Sequence, residues 1–131
     1  MIESVRTFGY EIGMAFQIID DVLDFTGEQD TVGKPVASDL RQGVITLPTI
    51  YYREAHPEDQ DVEVLASGNY FDETRLTRLI TAIRQSEAIQ AAITEARQFV
   101  YRGLDALSDL PENVEHQALE NLARYIVRRH Q

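Results

Sequence analysis

The sequence predicts an all-α protein, a bundle of antiparallel helices. Two observations carry that prediction. Apolar residues recur three and four positions apart in one segment after another, which is the signature of one buried helical face. Between those segments stand Gly, Pro and helix-capping residues, and no two alternating runs pair as strands.

The first helix is expected from about Ile2 to Phe25, with Val5, Phe8, Ile12, Phe16, Ile19 and Leu23 at helical spacing. It is under way almost at once, with no cap before it, as if Met1 stood inside a longer helix or just after a removed partner. Thr26 to Pro35, rich in Gly and polar residues, reads as a loop. Ser38 to Gln42 can form one helical turn closed by Gly43. Thr46 then reads as an N-cap, with Pro48 in the first turn of a helix reaching about Glu54. Residues 56–69, with Pro57, clustered acids and Gly68, read as a flexible connection. Asp72 can cap a helix burying Leu76, Leu79, Ile80 and Ile83. Ser86 can open the next, whose apolar residues from Ile89 to Leu107 repeat near seven, and Pro111 ends it. Asn113 can cap a last helix with Leu119, Leu122, Ala123, Ile126 and Val127 inward.

At 131 residues the chain is one domain at most. Its 22 acids against 12 bases give a formal charge of −10, which argues against nucleic acid and anionic membrane as partners. The absence of cysteine excludes disulfides, zinc–thiolate sites and thiol catalysis. No apolar run is long enough to span a bilayer, and the start lacks a signal-peptide layout, so a cytoplasmic address is expected.

One stretch resists an ordinary structural reading. Phe16-Gln17-Ile18-Ile19-Asp20-Asp21-Val22-Leu23-Asp24 places carboxylates at i, i+1 and i+4 in an apolar run, with Gln17, Asp20 (or Asp21) and Asp24 on one face. Like charges at that spacing cost about 0.2–0.5 kcal/mol per pair. They also sit near the helix's C-terminal end, where the macrodipole disfavours anions. A solvated acidic face is an even match for the bare pattern, but the apolar flanks argue for a buried helix, and buried carboxylates need partners. A hard divalent cation on oxygen ligands suits them. Gly9 and Gly13, each costing about 0.8–1.0 kcal/mol in a helix, keep room on that face for a ligand or for close helix packing. Lys34, between Gly33 and Pro35, is the natural counter-charge for an anion beside the cation. Asp39 could orient Lys34 or a metal-bound water, or equally cap the turn after Ser38. His56, His116 and His130 share no spacing with these aspartates and read as surface histidines. No Ser–His–Asp arrangement or P-loop is visible, so no acid–base residue is assigned.

Together with Gly27, Gly33-Lys34-Pro35, Asp39-Leu40, Gly43 and Thr46-Leu47-Pro48, the acidic helix resembles the second aspartate-rich region of trans-isoprenyl diphosphate synthases, the polyprenyl synthetase family. The closing Tyr125-Ile126-Val127-Arg128-Arg129 also resembles that family's C-terminal part. The resemblance implies part of an isoprenoid-synthase fold and an enzyme that joins an allylic diphosphate to isopentenyl diphosphate with Mg2+. In such enzymes the allylic diphosphate is gripped between two aspartate-rich helices, and the released diphosphate takes the final proton. By position, Asp20 would be the principal Mg2+ ligand, supported by Asp21 and Asp24. Lys34 would bind the allylic diphosphate, and Phe16 and Gln17 would face the substrates. Two departures bear on this. The family's first aspartate-rich region has no counterpart here, and Val44 stands where some members have a second lysine. The resemblance therefore makes residues 1–131 the C-terminal portion of a synthase, inactive alone. It would act with a complementing subunit that carries the first aspartate-rich motif, or as a homo-oligomer. The rival readings are a non-catalytic helical interaction or regulatory protein keeping a relic Mg2+ helix, and a terpenoid cyclase, which the Gly33-Lys34-Pro35…Asp39 spacing disfavours.

Overall fold

The computed structural model describes residues 2–27, 37–68 and 72–129. Among these the regular structure is entirely helical: α1 Ile2–Thr26, α2 Ser38–Arg41, α3 Leu47–Ala55, α4 Gln60–Ala66, α5 Glu73–Gln85, α6 Ala88–Ala106, a 3-10 turn Leu107–Asp109, and α7 Val114–Arg128. The expected all-α class is met. The chain divides into two compact units, residues 21–92 and residues 1–20 with 93–131.

In the unit of residues 21–92, a core of Phe25, Leu40, Tyr52, Val62, Leu76, Leu79, Ile80 and Ile83 is enclosed by α2 to α5. The predicted stripe of α5 is buried as expected. The boundaries follow local chemistry. Gly43, at φ +82°, closes α2 with its N–H on the Leu40 carbonyl, a conformation that L side chains rarely adopt. Thr46 occupies the N-cap of α3 without a side-chain hydrogen bond, and Pro48 sits in the first turn. Asp72 caps α5 by accepting from the Arg75 amide at 2.7 Å, and Ser86 Oγ accepts from the Ala88 amide at 3.1 Å as α6 begins.

Within residues 56–69, expected as a connection, the structure places α4. Asp59 Oδ1 accepts from the amides of Asp61 and Val62 at 2.9 and 3.2 Å, a cap concealed in what reads as an acidic cluster. Tyr52 donates its hydroxyl to Asp59, and burial, then that bond, pushes its phenol well above the ordinary range. Asp61, buried, accepts from Arg78 Nε at 2.6 Å and Nη2 at 2.8 Å. That hydrogen bonding holds Asp61 below the usual carboxylate range, against the opposing effect of burial. A depressed native value means stability that is present above the unfolded pKa of roughly 3.9 and lost as pH falls through the native value. Because Arg78 is mostly exposed, Asp61→Asn is expected to cost only about 1 kcal/mol at neutral pH. In paired urea melts the gap between Asp61→Asn and the unmodified chain should close as pH drops below 4 (roughly the unfolded carboxylate range). A gap that stays constant with pH would count against the pairing.

In the other unit, Phe8, Ile12, Ala15, Ile18 and Ile19 of α1 are buried, as are Ile93, Ala96 and Val100 of α6 and Ala123 and Ile126 of α7. Gly103 explains how α6 meets α1: a Cβ there would stand 3.0 Å from Ile12 Cδ1 and 3.5 Å from Glu11 Cβ. Arg102 Nε beside it reaches Glu11 Oε2 at 3.2 Å. Gly9 and Gly13 differ, since nothing lies within 4 Å of a Cβ built on either, so close packing among the described residues does not account for them. The expectation that apolar flanks bury the acidic stretch nearly all round holds for Ile18, Ile19 and Val22 and is corrected for Phe16. Ile2, Val5, Tyr10, Met14 and Phe16 are exposed, and the buried stripe runs through Ala15, Ile18 and Val22 instead of Phe16. Likewise Leu122 faces outward on α7.

Among the histidines, His116 is not at the surface. Asn113 Oδ1 caps α7 by accepting from the His116 amide at 2.9 Å, which fixes this residue in the first turn. Its ring is buried, with Nε2 3.1 Å from Glu120 and 3.8 Å from Glu112. Glu120, four residues on, is the hydrogen-bond partner of Nε2, whereas the buried Nδ1 has none among the described residues. His56 is half-buried, stacked on Tyr52 at 4.4 Å, and its Nε2 lies 3.1 Å from Glu87. His130 lies outside the described residues.

Candidate functional site

The three aspartates of α1 are carried on one unbroken 25-residue helix but meet different surroundings. Asp20 is exposed, its side chain 55% accessible, whereas Asp21 and Asp24 are buried. Phe16 and Gln17, the residues expected to face a substrate, are both exposed. Lys34, with Gly33 and Pro35, lies outside the described residues.

Asp24 has a structural task that its sequence position does not disclose. Its Oδ1 accepts from the Ser38 amide at 3.0 Å and its Oδ2 from the Asp39 amide at 3.1 Å. Its own carbonyl accepts from the Ala37 amide at 2.6 Å. These are the orphan donors at the start of α2, whose N-cap, Ala37, has no side-chain acceptor and sits in the left-handed region at φ 58°. Such a conformation costs a non-glycine residue about 1–2 kcal/mol. The carboxylate of α1 thus caps α2 from outside. The same amides stabilise an anion at the unfavourable end of α1, so Asp24 needs no cation to explain it.

Asp39 is therefore not the cap of this turn. It is half-buried, and its carbonyl accepts from the amides of Gln42 and Val44 at 3.1 and 2.8 Å. Asp20 is the carboxylate left facing solvent. Near it the structure places a residue that chain order does not suggest, Arg129 at the C-cap of α7. The guanidinium lies 4.1 Å over the Phe16 ring, donates from Nη2 to the Phe16 carbonyl at 3.0 Å, and stands 3.9 Å from Asp20 Oδ1. The only hint in the sequence was the basic ending, Arg128-Arg129.

The donor set of α1 fits a hard divalent cation. All three side chains offer oxygen, and Asp20 presents its carboxylate to solvent. Glu112, His116 and Glu120 form a second group of metal-ligand type, their donor atoms within 4.8 Å of one another, but the His116–Glu120 hydrogen bond accounts for it. A pocket of about 470 Å³ lined by Ile45, Thr49, Ile50 and Val62, among others, includes none of the predicted site residues.

No described helix is long and apolar enough to cross a membrane. The Polyprenyl synthetase family profile matches residues 1–83. A relative from Geobacillus stearothermophilus, heptaprenyl diphosphate synthase component 2, is 36% identical over 129 residues, which is 98% of this chain and 40% of that protein. Among solved structures, heptaprenyl diphosphate synthase from Staphylococcus aureus superposes with a TM-score of 0.91 at 33% identity, covering 99% of this chain and 41% of that one. Polyprenyl synthase from Caulobacter crescentus CB15, complexed with calcium and isoprenyl diphosphate, gives 0.83 at 32% identity, covering 98% of this chain and 40% of that one. The chain thus spans about 40% of the length of the proteins it matches.

Proposed function

This chain belongs to the polyprenyl synthetase family, and on that premise we propose that it carries one of the two metal-binding helices of a prenyltransferase joining an allylic diphosphate to isopentenyl diphosphate. The observation that carries the reading is the exposed Asp20 carboxylate on α1, inside the span that matches the family. The solved relative that holds calcium and isoprenyl diphosphate supports the pairing of a divalent cation with a diphosphate.

In this reading Asp20 is the principal Mg2+ ligand. Asp21 contributes from its buried position, and Asp24 contributes while it also caps α2. The chemistry such an ion supplies is Lewis-acid neutralisation of charge developing on the departing diphosphate. Lys34 binds the allylic diphosphate and opposes the same charge. Phe16 and Gln17 face the substrates, and Asp39 orients Lys34 or a metal-bound water. The work is performed in the cytoplasm. It takes place with a subunit bearing the first aspartate-rich motif or within a homo-oligomer. A relative named as component 2 supports a multi-subunit arrangement.

Incubated alone with Mg2+, an allylic diphosphate and labelled isopentenyl diphosphate, the purified chain is expected to form no prenylated product. Product made by the chain alone would overturn the proposal that it needs a complementing part.

A further inference from the structure

We propose that Arg129 is a built-in counter-cation for Asp20, seated on Phe16, against which a divalent cation must compete. The proposal rests on the reading of Asp20 as a metal ligand and deepens it, by naming a residue of this chain that sets the cation affinity.

Three contacts hold the guanidinium. Its face lies on the Phe16 ring at 4.1 Å, and its Nη2 donates to the Phe16 carbonyl at 3.0 Å. The same nitrogen then stands 3.9 Å from Asp20 Oδ1. Phe16 and Asp20 are four residues apart on α1, so one planar group lies over two consecutive turns of the acidic helix. A guanidinium suits this seat because it can stack on a ring and direct N–H groups sideways at once. The contact with Asp20 is the loosest of the three, and the carboxylate is more than half exposed. Arg129 Nε, in contrast, is buried with no hydrogen-bond partner. A seat that leaves a buried donor unpaired carries a cost, and a cation replacing Arg129 at Asp20 would let the guanidinium leave and solvate that donor.

The consequence has a fixed sign. A positive charge beside a carboxylate lowers its affinity for a second, divalent one, whether the arginine leaves or stays. Removing the charge raises the affinity; a role confined to fastening α7 onto α1 would leave it unchanged or lower it. The pair is partly solvated, so the change is small, about threefold.

Mn2+ serves as the probe, with free Mn2+ followed by electron paramagnetic resonance during titration of the intact chain. Arg129→Gln is expected to bind Mn2+ about threefold more tightly than the unmodified chain. Arg129→Lys keeps the charge and loses the planar stack, and should bind as the unmodified chain does while melting at a lower temperature. Arg128→Gln removes the same net charge from the neighbouring residue and should change the affinity less. If Arg129→Gln does not fold, Arg129→Met preserves the packing of the stem and carries the same expectation. Asp20→Asn separates the two levels of the argument. If it weakens Mn2+ binding while neutralising Arg129 leaves affinity unchanged or lower, the counter-cation is overturned and the metal reading survives. If Asp20→Asn leaves Mn2+ binding untouched, both fall.

Discussion

Asp20→Ala is expected to weaken Mg2+ or Mn2+ binding to the chain by about 100-fold, at the upper end of what losing even an outer partner of a metal site costs. Folding stability should stay within about 0.5 kcal/mol, because the carboxylate is more than half exposed and its nearest ionic partner stands 3.9 Å away. Removing an anion from near the C-terminal end of α1 also relieves a small unfavourable interaction with the helix dipole. Titration calorimetry and a urea melt on the same sample check both halves. An Asp20→Ala chain that keeps its cation affinity would remove the main support for a metal site on this helix.

Asp24→Ala is expected to do the converse, destabilising the unit of residues 21–92 by about 2–4 kcal/mol. The substitution strips two acceptors from the start of α2, leaving the amides of Ser38 and Asp39 unpaired beside a left-handed Ala37. Asp24→Asn, which keeps one carbonyl oxygen, should fall between. The urea midpoint should drop with little change in slope. A midpoint equal to that of the unmodified chain would mean that α2 does not depend on Asp24. The two substitutions therefore separate residues that the acidic pattern presents as equivalents: Asp20 for the cation, Asp24 for the fold first.

The sequence carried the helices well where caps and periodicity agreed. Asp72, Ser86 and Asn113 open their helices through the side chains that their residue types imply. It failed in two ways, where a local signal was masked by its surroundings and where a residue's task depends on a distant part of the chain. α4 was concealed because Asp59 reads as one more acid in a polar stretch, and its partners Tyr52 and Val62 become relevant only after folding. His116 read as a surface residue because its two glutamates are ordinary surface spacing until α7 packs. Of the proposed site, the sequence names oxygen ligands and a lysine by residue type; the structure describes the aspartates, and Lys34 lies outside the described residues. The division of labour among the aspartates was not legible, since Ser38 and Asp39 lie 14 and 15 residues beyond Asp24 in the chain. Arg129 is further still, 113 residues from Phe16, and no periodicity links residues at that separation.

The measurement that tests the account most directly joins this chain to the preceding portion of a structurally similar heptaprenyl diphosphate synthase and assays prenyl transfer. With Mg2+, an allylic diphosphate and labelled isopentenyl diphosphate, the completed enzyme is predicted to release a prenylated product. Asp20→Ala should abolish it without unfolding the protein. A folded chimera that forms product equally well after Asp20→Ala would contradict the account.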